Sequence, residues 1–227
     1  MVNRIKYCFF SIFFLCSLYT QKIDQQVWVD SIYSSMSLDQ KVGQLYSVWT
    51  ASKYGQEEIN EIKRIINEYH IGGLIFSLGN INDQIISHNI FQEQSNIPLL
   101  ISMDAEWGLG MRLDDGFSFP YNITLGALRD DSLVFKVGQR IGDHLKKIGV
   151  HLNFAPVSDV NTNPKNPIIG ARSFGENKYN VTNKSIKYIA GLNSSGVLSV
   201  GKHFPGHGDT RKDLSLIHIS EPTRLAI

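Results

Sequence analysis

The sequence predicts an α/β fold in which a parallel sheet is covered by helices. Short, uninterrupted apolar runs such as Ile71–Phe76 and Pro98–Met103 alternate with longer stretches whose apolar residues recur at helical spacing. A strand buried on both faces reads as a continuous apolar run, and parallel neighbours need a crossover, usually a helix. The apolar runs also end in polar, glycine-containing segments, which puts chemically equipped loops at the C-terminal ends of the strands.

Composition fits one globular domain. The chain has 227 residues, 42% of them hydrophobic, and a formal net charge of +1. That balance gives no electrostatic case for binding nucleic acid. Both cysteines, Cys8 and Cys16, fall within the first sixteen residues, so neither a disulfide framework nor a cysteine metal site is available beyond them. Arg4 and Lys6 precede an apolar run from Tyr7 to Tyr19, the charged-then-apolar pattern of a secretory signal, and the run is too short for a comfortable permanent span. Residues 1–20 are therefore expected to be a signal peptide cleaved near Tyr19 to Gln21, and the protein to be exported to the periplasm or the exterior. Cys16 is a poorer candidate for lipid attachment, because bulky Phe14 and Leu15 precede it.

Taken in order, Ser37 is an N-cap, Asp39 and Gln40 lie in a first turn, and Leu38, Val42 and Leu45 share one face of an expected core helix. A strand is expected near Gln44 to Trp49. Glu57 to about Tyr69 reads as a helix through Ile59, Ile62, Ile65 and Ile66, followed by the Ile71–Phe76 strand. Asn80 to about Ser95 is the next helix, and Pro98–Met103 the next strand. That strand runs into Asp104-Ala105-Glu106-Trp107-Gly108-Leu109-Gly110-Met111-Arg112. A carboxylate at a strand's end, followed by a glycine-rich loop with an indole and an arginine, suits a sugar: carboxylates accept from hydroxyls and the indole covers a pyranose face. A plain Asp104–Arg112 salt bridge is the alternative.

Phe119–Ala127 is expected to be a loop. Asp131 to about Ile148 is a helix with Leu133, Val134, Val137, Ile141 and Leu145 on one stripe. Val150–Val157 is the fourth strand, and His151, at its wrong end for chemistry, is expected to be a satisfied core or strand-start histidine. Asn166–Gly175 is a loop holding Arg172, whose five fixed donors suit hydroxyls, an acetamido carbonyl or a lactyl carboxylate, or else pin the loop to backbone carbonyls. Asn180–Asn193 is the last helix. It leads to the apolar run Gly196–Val200, which enters Gly201-Lys202-His203-Phe204-Pro205-Gly206-His207-Gly208-Asp209-Thr210.

The stretch KHFPGHG, followed by Asp213, resembles the signature of glycoside hydrolase family 3. The order Pro205-Gly206-His207-Gly208 points more narrowly to its β-N-acetylglucosaminidase branch. The stretches around Leu38, Asp104, Phe119 and Asn153–Gly175 resemble the same family. The resemblance implies a parallel (β/α)8 TIM-type barrel, here incomplete, with about five of the eight βα units. It also implies retaining hydrolysis of terminal β-linked N-acetylglucosamine without a cofactor. It assigns Asp104, Arg112, Arg172, Lys202 and His203 to substrate binding and makes Asp213 the aspartate of the acid/base loop. That family places a Ser and then the acid/base histidine after this aspartate, where this chain has Leu214 and Ser215, with His218 displaced by three residues. The nucleophile would lie on a later strand. The expected organisation is thus a signal peptide (1–20), a partial family 3 N-terminal barrel domain (21–213) and an unrelated tail (214–227), with the fragment itself inactive. A β-glucosidase of the same family and a non-catalytic sugar-binding barrel remain alternatives. A metal site on His203 and His207 is disfavoured, because Pro205 and Gly206 prevent the helical spacing it would use.

Overall fold

The computed structural model describes residues 24–213. The signal segment (1–20) and the tail (214–227) of the sequence reading lie outside the described residues. The chain divides into two units between Lys41 and Val42. In the first, helix α1 (Gln25–Ser35) is capped by Asp24, whose carboxylate accepts from Gln26 N. Helix α2 (Leu38–Gly43) starts on a reciprocal capping pair: Gln40 N donates to Ser37 Oγ at 3.2 Å, and Ser37 N donates to Gln40 Oε1 at 2.9 Å.

The cap is where the sequence placed it, but the apolar face is not. Leu38, Val42 and Leu45 are all exposed, Leu45 to 84%. The helix runs for only six residues, and Leu45 lies beyond its end in a turn. Close backbone approach fixes that turn: Gly43 O accepts from Gly72 N, and a Cβ on Gly43 would sit 2.0 Å from Tyr69 O.

From Val42 onward the described chain is a five-stranded parallel sheet in sequential order, β1 (Ser47–Thr50), β2 (Gly73–Phe76), β3 (Leu100–Met103), β4 (Leu152–Asn153) and β5 (Leu198–Ser199). Helices α3 (Gln56–Tyr69), α4 (Ile81–Gln94), α6 (Asp131–Lys147) and α7 (Lys178–Ser194) form the crossovers. This is the architecture of five consecutive units of a βα barrel, and among the described residues the sheet is not closed.

Side-chain alternation divides the sheet into two faces. Leu74, Phe76, Ile101 and Met103 are fully buried, and the Phe76 ring lies 6.2 Å from that of Phe91 on α4, so this face meets the helices. Leu100 and Ser102 take the other face. Asp104, two residues past Ser102, follows them there. Strand β4 is shorter than the expected Val150–Val157, because Pro156 has no N–H to give to the ladder; pairing resumes only as a bridge between Val157 and Lys202. The expected Phe119–Ala127 loop contains a five-residue helix, α5 (Asn122–Gly126), with Gly126 pressed against Phe174 O. His151 is satisfied at the start of β4, where its Nδ1 accepts from Ile101 N at 3.1 Å, and burial pushes its imidazole below the usual value. Among the described residues no helix is long and apolar enough to cross a membrane.

Helices α6 and α7 form the closest helix contact. Val134, Ile141 and Leu145 are buried there as expected, while Leu133 turns outward. The approach is reciprocal: a Cβ on Gly138 would meet Tyr188 O at 2.4 Å, and one on Gly191 would meet Phe135 O at 2.2 Å. Lys184 of α7 is buried, with its ammonium on Leu128 O at 2.6 Å and on the Asp131 carboxylate at 2.5 Å. Helical alanine is favoured over glycine in isolation, so any loss at these positions reports packing. Gly138→Ala is expected to destabilise the protein by about 1–3 kcal/mol, the cost of overpacking, measured as a lower urea midpoint. A midpoint equal to or above that of wild type would show that the helices separate freely.

Candidate functional site

The polar loops at the C-terminal ends of β3, β4 and β5 meet in two adjoining clusters. The first is an ion-pair network. After β3, the carboxylate of Asp104 accepts from Arg112 Nη2 at 2.6 Å through one oxygen and from Lys202 Nζ at 2.6 Å through the other. Arg112 Nε also donates to the Asp104 carbonyl at 3.0 Å, which fixes the glycine-rich loop between them. Glu106 lies two residues further on. Its Oε1 is ion-paired with Lys202 Nζ at 2.6 Å and accepts from Arg172 Nη2 at 2.7 Å, and its Oε2 accepts from Arg172 Nε at 3.0 Å. Arg172 ends the short 3-10 turn Gly170–Arg172. It also donates to Ile168 O at 3.2 Å, while its own carbonyl accepts from Asn122 Nδ2 at 2.8 Å at the start of α5. The Glu106 fork raises the Arg172 guanidinium above its ordinary value, outweighing the opposing effect of burial.

The second cluster is centred on Asp159, after β4. One carboxylate oxygen accepts from His203 N at 3.1 Å and lies 2.6 Å from His203 Nδ1; the other accepts from His207 N at 2.6 Å. Burial pushes the Asp159 carboxyl up, but these bonds, led by that of the His203 side chain, outweigh it and hold the carboxyl below the usual aspartate value. His207 Nδ1 lies 2.7 Å from Thr210 Oγ1, and Asn166 Nδ2 donates to the His207 carbonyl at 2.6 Å. Asp213 lies against this cluster, with Oδ1 3.6 Å from His207 Nε2.

Four of the predicted binding residues, Asp104, Arg112, Arg172 and Lys202, thus share one network, while His203 and Asp213 join the neighbouring Asp159 cluster. Lys202 and His203 both face the site, joined by a cis peptide bond. Of the two meanings given to Arg172, the structure shows the one that pins its own loop, through Ile168 O, and its remaining donors fork onto Glu106. Sequence reasoning passed over Glu106, although alternation from Asp104 was the available signal. It also passed over Asp159, a carboxylate at a strand's end like Asp104. Tyr188, whose hydroxyl donates to the Glu106 carbonyl at 2.9 Å from the middle of α7, left no local signal. Burial pushes that phenol well above its usual value. Among the described residues no three His, Cys, Asp or Glu side chains are grouped to hold a metal ion.

Asp104 and Glu106 supply two negative charges against three positive ones on Arg112, Arg172 and Lys202. Such a site offers alternating acceptors and donors at a strand-end mouth, the arrangement that grips hydroxyl-bearing ligands. Residues 37–222 match the Glycosyl hydrolase family 3 N terminal domain. The chain belongs to glycosyl hydrolase family 3.

The family match continues past Asp213, where recognisable motifs stop. The chain is 40% identical over 166 residues to the β-hexosaminidase A of Pseudoalteromonas piscicida, an alignment covering 67% of this chain and 28% of that protein. Among solved structures, it is similar to a family 3 β-N-acetylglucosaminidase from Paenibacillus sp., with 36% identity, 79% of this chain and 35% of that one covered, and a TM-score of 0.71. It is also similar to the β-glucoside phosphorylase BglX bound to 2FGlc, with 26% identity, coverage of 86% and 35%, and a TM-score of 0.77. The chain therefore spans about a third of the length of these similar proteins.

Asp159 ties the family's Lys-His-Phe-Pro-Gly loop to β4, so Asp159→Asn is expected to loosen that loop. Amide exchange at His203 and His207 should accelerate at pH 7, and unchanged protection would remove Asp159 from this role. The pH dependence has a definite sign. A carboxyl held low in the fold stabilises it above the unfolded value of about 3.9, and that stabilisation is lost as pH falls through the folded value. The stability gap between wild type and Asp159→Asn, measured by urea unfolding, should therefore be full at pH 6 and shrink below about pH 4.

Proposed function

We propose that the protein is a glycoside hydrolase of the β-N-acetylhexosaminidase type, one that removes terminal β-linked N-acetylglucosamine from glycans with retention. The observation that carries this reading is the convergence of Asp104, Arg112, Arg172 and Lys202, by way of Glu106, in the loops that follow β3, β4 and β5. Asp104 accepts from sugar hydroxyls, while Lys202 and Arg172 donate to hydroxyl or acetamido oxygens. The names borne by the P. piscicida and Paenibacillus relatives support the same substrate class. Retaining hydrolysis pairs a carboxylate nucleophile with a proton donor, and the Lys202–Asp213 loop is the segment that bears on the donor side. Arg4 and Lys6 ahead of the apolar run support export to the periplasm or the exterior.

Action on β-glucosides is the rival reading, favoured by the likeness to BglX. Calorimetry separates the two. N-acetylglucosamine is expected to bind at least about tenfold more tightly than glucose, a difference of about 1.4 kcal/mol. Equal affinities, or a preference for glucose, would overturn the assignment.

A further inference from the structure

We propose that Glu106 is the positioning residue of this site, the group that sets the spacing of the Arg172 and Lys202 donors and makes them act as one preset array. The proposal rests on the functional reading above for the identity of the ligand, but not for the placement of the side chains.

The Glu106 side chain is 1% exposed, so it is shielded from anything arriving from solvent, whereas those of Lys202 (15%) and Arg172 (24%) are reachable. Its carboxylate takes two hydrogen bonds from Arg172 and an ion pair with Lys202, with Oε1 shared between the two cations. The backbone is held independently: Tyr188 donates to the Glu106 carbonyl at 2.9 Å, and Glu106 N lies 3.3 Å from Met111 Sδ. The carboxylate is therefore fixed before any ligand arrives.

Two cations drawn to within 2.7 Å of the same oxygen repel each other, and the charge between them offsets that repulsion. Without it, Lys202 keeps Asp104 and Arg172 keeps Ile168 O, but nothing sets the distance from one to the other. Preset donors cost no reorganisation on binding, and a buried anion is well suited to presetting them.

Glu106→Gln keeps the shape, removes the charge and turns an amide donor towards the Arg172 and Lys202 donors. Glu106→Asp keeps the charge but shortens the side chain by one methylene, so one carboxylate no longer reaches both cations. Calorimetry with N-acetylglucosamine is the first arm, paired with far-UV circular dichroism and the thermal midpoint. The expected result is an affinity loss of at least about tenfold for Glu106→Gln, a smaller loss for Glu106→Asp and retained secondary structure in both. In an Arg172→Ala background the Glu106→Gln loss should shrink severalfold, because the carboxylate acts mainly through that guanidinium. Affinity within twofold of wild type overturns the proposal. Loss of fold in both variants also overturns it, since Glu106 would then be a support of the fold and not of the site.

A ligand-free arm separates this inference from the functional one. Acetylation of Lys202 by acetic anhydride, mapped by peptide mass spectrometry, should be severalfold faster in Glu106→Gln than in wild type. If wild type fails to bind N-acetylglucosamine, the functional reading falls, and the acetylation rate still decides on Glu106: faster supports the positioning role, unchanged removes it.

Discussion

An ammonium shared by two carboxylates closes this site. Lys202 Nζ lies 2.6 Å from Asp104 and 2.6 Å from Glu106, joining the end of β5 to the end of β3 across the intervening β4. Two strand spacings amount to about 10 Å, and the long, flexible stem of a lysine helps to bridge them. The pairing needs the sheet to be parallel and its strands to end level, because a slip in register would carry Lys202 away from the Asp104 and Glu106 carboxylates. The in-order ladder from Ser47 to Ser199 supplies that level rim. The reciprocal glycine contacts between α6 and α7 bring together the helices that flank β4.

Most of this frame was legible before any coordinates. Apolar runs found β2 and β3 to within two residues, since Gly73–Phe76 and Leu100–Met103 carry apolar or small side chains on both faces and leave little polar alternation to confuse the reading. Helices α4 and α6 begin within one residue of the expected starts at Asn80 and Asp131, where the side chains of Asn80 and Asp130 cap them. The errors have physical causes. Pro156 shortened β4, and close backbone approach at Gly43 settled α2 where an apolar stripe had been expected. Neither approach distance nor ladder register is written in a hydrophobic pattern.

The candidate site divides along the same line. Asp104, Arg112, Arg172 and Lys202 were visible because each sits in a motif of turn residues at a strand's end. The Glu106 and Asp159 carboxylates each take three contacts in their clusters yet were passed over, because an acidic residue in a loop looks the same whether it faces solvent or is wholly enclosed. Burial is what makes them organisers. An enclosed carboxylate without partners would be too costly to keep ionised, so its neighbours must be cations or N–H groups held in place. Asp159, held below the usual value by its His203 and His207 bonds, shows the same logic in titration.

This division of labour bears on what the site can select. Glu106 and Asp159 spend their oxygens on the protein, so they present little to a ligand. Asp104, Arg172 and Lys202 stand partly open, and between them they offer one acceptor group flanked by donors. A ligand that only accepts, such as a simple anion, would satisfy the cations but face the Asp104 carboxylate unfavourably. A ligand that only donates would meet the reverse conflict. A hydroxyl group does both with one oxygen. Adjacent hydroxyls on a rigid ring repeat that double role at a fixed interval, so a pyranose matches an alternating rim better than either charged alternative, at little loss of its own freedom. Under the proposed function, selectivity would reside in that alternation, and the enclosed Glu106 carboxylate lies against its Arg172 and Lys202 members.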